Sequence, residues 1–149
     1  MYEEGHRHAR RLGYRSGLEL KISDALKDAG IDFTYEKIKI QWEDLAYRTY
    51  TPDFVLPNNI IVETKGRFVA ADRRKHKLIK SQHPTLDIRF VFSNSRARIA
   101  KGSKTTYAMW CENNGFLYSD VSIPDEWLEE PPKSSVPTFV TFPNKRKIK

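Results

Sequence analysis

Residues 50–66 read YTPDFVLPNNIIVETKG. The apolar and β-branched runs Tyr50–Leu56 and Ile60–Lys65 predict two strands, and Pro57-Asn58-Asn59 predicts the turn between them. Three ionisable residues, Asp53, Glu63 and Lys65, sit in or beside these runs, where a sheet core excludes charge unless it is paired or holds a metal. Side chains alternate along a strand, so Glu63 and Lys65 share a face, roughly 7 Å apart at about 3.3 Å per residue. Asp53 lies across the turn and is placed to join them. A surface salt bridge would account for any one of these charges. Pro52 before Asp53, the apolar flanks Phe54, Val55, Ile61 and Val62, and Gly66 after Lys65 favour a shared site instead.

Two carboxylates at this distance repel, and one tends to stay protonated. A divalent cation removes the conflict, and oxygen-only ligands select hard ions such as Mg²⁺ or Mn²⁺. Such an ion holds a phosphodiester and lowers the pKa of bound water. Lys65 is then placed to orient or deprotonate the water, or to neutralise developing charge.

Outward from this stretch, RSGLELKISDALKDAG predicts a helix. Ser16 is its N-cap, Leu18, Ile22, Ala25, Leu26 and Ala29 form its apolar stripe, and Gly30 ends it. Glu19 has two readings that spacing does not separate: a capping-box partner of Ser16, or an acid looking inward towards the hairpin. IDFTYEKIKI predicts a strand, and QWEDLAYRT (residues 41–49) a linker or extended bridge. A basic helix follows over AADRRKHKLIKSQHP, with Asp72 as N-cap and Pro84 at its end. LDIRFVFS predicts a strand, TTYAMWCENNG a helix closed by Gly115, and residues 116–118 a short strand. The order αβββαβα is that of an α/β protein with a mixed sheet flanked by helices. The chain divides into a flexible basic arm (1–15), one domain (16–132) and a basic tail (133–149).

The 149 residues are 39% hydrophobic and 30% charged, with net charge +7. Eleven Lys and Arg against two Asp give residues 67–104 a charge of +9, whereas residues 16–66 sum to −3. Basic segments around a carboxylate-bearing middle suggest a polyanionic partner, above all nucleic acid. One cysteine excludes an intrachain disulfide and suits a reducing compartment. No apolar run approaches the roughly 20 residues of a spanning helix. The first eleven residues lack the apolar core of a secretory signal, so a soluble, cytoplasmic protein is expected. His6, His8, His76 and His83 have no zinc-like spacing with cysteine. Trp42, Trp110 and Trp127 are expected in the core or at a dimer contact. Arg73, Lys77 and Lys80 share a predicted helix face, with Arg74 and Lys75 beside it. Ser93, Ser95, Arg96 and Arg98 follow in a polar loop. With Arg15, Ser16 and Arg67 these make the expected DNA-binding set, a phosphate-tracking surface that carries little sequence information.

Pro52-Asp53, a gap, and Glu63-Thr64-Lys65 match the PD-(D/E)xK nuclease signature. The stretches RSGLE, YTPDFVLPNNIIVETKG, DRRKHKLI, QHPTLDIRFVFSNSR, GSKTTYAMWCE and IPDEWLEEP together resemble the phage endonuclease I family over about residues 14–132. The resemblance implies a restriction-endonuclease-like core and metal-dependent cleavage of branched DNA, above all four-way (Holliday) junctions, in the cytoplasm of a phage-infected host. It implies catalytic roles for Glu19, Asp53, Glu63 and Lys65. It also implies two Mg²⁺ or Mn²⁺ ions held by Asp53, Glu63, the Thr64 backbone carbonyl and Glu19, with no small-molecule cofactor. It further implies an intertwined, domain-swapped homodimer in which Glu19 and the Asp53–Lys65 hairpin come from different subunits. A two-fold dimer also suits a two-fold substrate that needs two nicks. The rival expectations are a sequence-specific restriction or transposon-end nuclease, and a non-catalytic architectural DNA-binding protein.

Overall fold

The computed structural model describes residues 13–44 and 46–133. Most of the expected arm and tail therefore lies outside the described residues. In chain order the elements are α1 (Gly17–Asp28), β1 (Thr34–Tyr35), β2 (Ile40–Glu43), β3 (Tyr47–Tyr50), β4 (Phe54–Val55), β5 (Ile61–Lys65), α2 (Ala70–Gln82), β6 (Ile88–Phe92), α3 (Tyr107–Asn114), β7 (Tyr118–Asp120) and α4 (Asp125–Glu129). Five strands form one mixed sheet in the order β1-β4-β5-β6-β7. β1 pairs antiparallel with β4 and β4 with β5, whereas β5, β6 and β7 are parallel, with α2 and α3 as the connecting helices. This is the expected α/β class.

β5 and β6 are buried on both faces, as parallel strands under helices are. Ile61, Ile88, Phe90 and Phe92 look towards one core with Phe68, Ile79, Tyr107 and Trp110. Val62 and Val91 look towards the other with Ile22, Leu26, Phe54 and Trp127. By alternation Glu63 and Lys65 fall on the first face and Thr64 on the second. All three tryptophans are buried. Phe68 is the hub of the first core. Its ring centroid lies 4.9 Å from those of Phe90 and Trp110, 5.4 Å from Phe92 and 5.8 Å from Tyr107.

Several boundaries differ from the sequence expectation. The strand expected over 31–40 is confined to Thr34–Tyr35, because Glu36 adopts φ 52° and turns the chain out of the ladder. The linker expected over 41–49 is mostly a two-stranded antiparallel ribbon of β2 and β3, pairing Ile40 with Tyr50 and Glu43 with Tyr47. Within it Gln41 is buried between Ile40 and Trp42, although the sequence alternates apolar and polar residues there. Gln82 holds the ribbon to α2 through the Glu43 backbone N–H and C=O. The strand expected over 50–56 is split: Tyr50 closes β3, Phe54–Val55 form β4, and Pro52 between them has no N–H for a ladder. The N-cap of α2 is Val69, not Asp72, which lies in the first turn. The short strand expected at 116–118 lies at 118–120, after Gly115 closes α3 in the left-handed region at φ 75°.

Phe68 joins the last residues of β5 to the aromatic core. Phe68→Ala should lower the unfolding free energy by about 3–5 kcal/mol in a urea titration. A loss well below 1 kcal/mol would show that this ring is not the hub.

Candidate active site

The β4–β5 hairpin and α1 bring three acids, Asp53, Glu63 and Glu19, and Lys65 to one end of the sheet. Asp53 precedes β4, and its Oδ2 accepts two hydrogen bonds from Thr64, from the backbone N–H at 2.9 Å and the hydroxyl at 2.8 Å. Glu63 Oε2 accepts the Tyr50 hydroxyl at 2.6 Å and lies 3.4 Å from the Asp53 N–H. Lys65 Nζ lies 3.8 Å from Glu63 Oε1 and 3.6 Å from Asp72 Oδ1, so α2 supplies a second counter-charge to the lysine. The hairpin therefore assembles the expected Asp53–Glu63–Lys65 group.

Glu19 reaches the same place from α1. Its backbone N–H donates to Ser16 Oγ at 3.1 Å, so the predicted cap forms. Its carboxylate turns inward, where Oε2 accepts the Tyr35 hydroxyl at 2.5 Å. Carboxylate oxygens of Glu19, Glu36 and Asp53 all lie within 4.8 Å of one another, a spacing at which three acids can share a cation. One chain here supplies both Glu19 and the hairpin, whereas the resemblance assigns them to different subunits.

Sequence reading missed Glu36, Tyr35 and Tyr50. β1 pairs Tyr35 with Phe54, which brings Glu36 alongside Asp53, and the Glu36 N–H donates to the Asp53 carbonyl. The signal for Glu36 was its place at the end of a strand antiparallel to the Pro52-Asp53 segment, and that pairing is not visible in the sequence. The two tyrosines read as ordinary strand aromatics.

The electrostatics are those of acids removed from water. Asp53, Glu63 and Glu19 are 5%, 4% and 6% exposed. Burial pushes the Glu63 carboxyl up to about 8, and the Asp53 charge adds to the rise; Lys65 and Tyr50 oppose it. Burial also raises Asp53, against the two Thr64 hydrogen bonds. Burial and then Asp53 raise Glu19. Desolvation lowers Lys75, whose Nζ lies over the Tyr50 ring.

The basic residues divide by what already engages them. Arg73 donates to the carbonyls of Phe68 and Ile99, Arg74 pairs with Asp44, and Lys80 donates to the Gly115 carbonyl. Ser95 is buried and gives its N–H and hydroxyl to Asp120. Arg15 is exposed and pairs with Glu36 at 3.7 Å. Arg98 donates to the Ser103 carbonyl at 3.0 Å, and Arg67, Lys77, Ser93 and Arg96 are exposed. Among the described residues a Cβ on Gly66 would meet only Ser93 Oγ, at 3.8 Å, so crowding there does not demand this glycine.

The family model described as phage endonuclease I matches residues 1–148. The chain belongs to the phage endonuclease I family. Endonuclease I of Escherichia phage T7 is 50% identical over 131 residues, covering 87% of this chain and 88% of its own length. Endodeoxyribonuclease 1 of Enterobacteria phage T3 is 49% identical over 137 residues, covering 91% and 89%. Among the described residues of this family member, no helix is long and apolar enough to cross a membrane.

The raised carboxyls make the stability of the metal-free protein pH-dependent. A folded state that keeps a proton on Glu63 up to about 8 loses stability as pH rises from the ordinary carboxyl range through that value. Buried His76, whose pKa is lowered, acts in the opposite sense at and below about pH 6.5. Lys75 also acts in the opposite sense, towards higher pH. The melting temperature should therefore fall between about pH 6.5 and 8 in the wild type, and less in Glu63→Gln, which has no carboxyl to titrate. Parallel melting curves for the two proteins across that window would exclude a proton on Glu63.

Proposed function

We propose that this chain is a homodimeric, divalent-metal-dependent endodeoxyribonuclease that cuts four-way junctions and other branched DNA, resolving junctions by paired nicks. The observation that carries the reading is the convergence of Glu19, Asp53, Glu63 and Lys65 at one end of a mixed sheet, in a family whose named relatives are endonucleases.

The side chains fit a hard divalent cation such as Mg²⁺ or Mn²⁺. The donors are all oxygen. The hydrogen bonds from Thr64 to Asp53 and from Tyr50 to Glu63 each fall on one carboxylate oxygen, and the second Glu63 oxygen lies beside Lys65. Asp53, Glu63 and the Thr64 carbonyl would hold one ion, and Glu19, with Glu36 beside it, would complete a second site. When bound, the metal supplies charge neutralisation at the phosphodiester and a water acidic enough to attack at neutral pH. Lys65 keeps a cation beside Glu63 and is placed to orient that water or to stabilise charge on the phosphate. Asp72 restrains the lysine from the side of α2. Exposed Arg67, Lys77, Arg96 and Arg98, with Ser93 at the rim by Gly66, would contact phosphates and so favour DNA shape over sequence.

Dimerisation follows the ribbon. If the turn between β2 and β3 opened into one continuous strand, α1 and β1 would cross to a partner and meet that partner's hairpin with the same contacts. Domain exchange is a low-cost route to a dimer for this reason. Mixing Glu19→Ala with Glu63→Ala protein tests it. An exchanged heterodimer contains one intact site and makes single nicks, whereas an unexchanged one has no intact site and makes none.

The primary test is cleavage of a labelled four-way junction beside a linear duplex carrying the same arm sequences, with Mg²⁺ and with a chelator. Paired nicks confined to the junction and to Mg²⁺ are expected. Glu63→Ala and Lys65→Ala should each reduce cutting by at least about 10²–10³-fold while still retarding the junction on a gel. Cutting of the linear duplex at one fixed site would favour a sequence-specific nuclease. A shifted but uncut junction under both conditions would leave an architectural protein.

A further inference from the structure

The chain engages the two oxygens of Glu63 differently. Oε2 receives the Tyr50 hydroxyl at 2.6 Å and lies 3.4 Å from the Asp53 N–H. Oε1 faces Lys65 Nζ at 3.8 Å, an ion-pair distance without a hydrogen bond. Tyr50 is itself held from several sides. It is 0% exposed, and its backbone pairs with Ile40 across the ribbon. His76 packs edge-on against its ring, with centroids 5.1 Å apart and planes at 87°. Lys75 Nζ sits 4.9 Å from the ring centre, over its face. A ring fixed in this way leaves its hydroxyl little freedom, and the acceptor it meets is Glu63.

We propose that Tyr50 is a positioning residue for metal binding: its hydroxyl holds Oε2 so that Oε1, beside Lys65, is the Glu63 oxygen presented to a divalent cation. The proposal rests on the reading of Glu63 as a metal ligand. Without the hydroxyl, the carboxylate can rotate about its last torsion, which is broad and soft for a terminal carboxyl group. Oε1 would then spend less time in the binding orientation. Partners that orient a ligand in this way typically change metal affinity or activity by about 10–100-fold when removed. The bland alternative is that the hydroxyl only satisfies itself inside the core. That role would affect stability and leave metal affinity alone.

Tyr50→Phe separates the two, because the ring and its packing are kept and only the donor is lost. The full-length protein, without DNA, would be titrated with Mn²⁺ and followed by calorimetry and by the loss of free Mn²⁺ resonance signal. Wild type, Tyr50→Phe and Glu63→Gln would be compared, each with a melting curve to confirm folding. Tyr50→Phe is expected to weaken Mn²⁺ binding by about 10–100-fold. The Mg²⁺ concentration for half-maximal junction cutting should rise in step, while the rate at saturating Mg²⁺ and the metal-free junction affinity change much less. Wild-type Mn²⁺ affinity in Tyr50→Phe, with affinity lost in Glu63→Gln, would overturn the positioning role and leave Glu63 a ligand. Wild-type affinity in Glu63→Gln would remove the ligand reading, and the proposal with it.

Discussion

The structure depends on three carboxylates kept almost entirely out of water beside one another. An isolated buried carboxylate is costly, and neighbouring like charges add to the cost. The chain compensates with single, well-aimed donors. Thr64 gives two hydrogen bonds to Asp53, Tyr50 gives one to Glu63, and Tyr35 gives one to Glu19. Lys65 contributes a charge without a hydrogen bond. This compensation is partial, since the acid pKa values stay raised. Buried acids whose charge is only partly compensated are candidates for a functional site, because a purely structural core would place apolar side chains at these positions.

The fold supplies the precision that such a cluster needs. Asp53 lies between two faces of the sheet. Thr64, on the face of α1, holds its carboxylate, while Glu63 and Lys65 approach from the face of α2. A strand presents alternate residues to opposite sides, so Glu63-Thr64-Lys65 serves both faces in three consecutive positions. The two flanking cores hold β5 from each side, which restrains its side chains as a loop would not. Away from the site, Arg89 shows a buried charge that is fully paired. It is 2% exposed and forms paired hydrogen bonds to both Asp87 and Glu130, with its guanidinium over Trp127. The contrast with the loosely paired Lys65 is chemical: one cation is locked by two carboxylates, and the other stands at ion-pair distance from its acids.

What the sequence made legible was what neighbouring residues decide. The α1 cap at Ser16, the left-handed Gly115 and the strands at Ile61–Lys65 and Ile88–Phe92 depend on local chemistry and were readable. So was the Asp53–Glu63–Lys65 group, because a tight turn brings its members together within a few residues. The ribbon was not legible, since Ile40–Glu43 alternates over only four residues and Glu43-Asp44-Leu45-Ala46 carries no Gly or Pro turn signal. Nor was the end of β1 at Glu36, where a left-handed residue other than glycine sets the boundary. Glu36, Tyr35 and Tyr50 escaped for a common reason: their roles come from strand register and helix docking across long separations in the chain.

Net charge is likewise a poor guide to which cations meet a partner. Residues 67–104 read as a uniform basic run, yet the fold uses part of it internally. Arg73 braces the Phe68 and Ile99 carbonyls, Arg74 meets Asp44 beside the ribbon, Lys75 covers Tyr50, and Lys80 caps α3 at Gly115 while lying over Phe116. These contacts tie α2 to the ribbon, to the loop after β6 and to the end of α3. The exposed remainder, Arg67, Lys77, Arg96, Lys101 and Lys104, is therefore carried on a scaffold that its own neighbours in sequence brace. Phosphate contacts position a nucleic acid without reading its bases. Under the function proposed above, such a display of cations would choose a substrate by the path of its strands and not by their sequence.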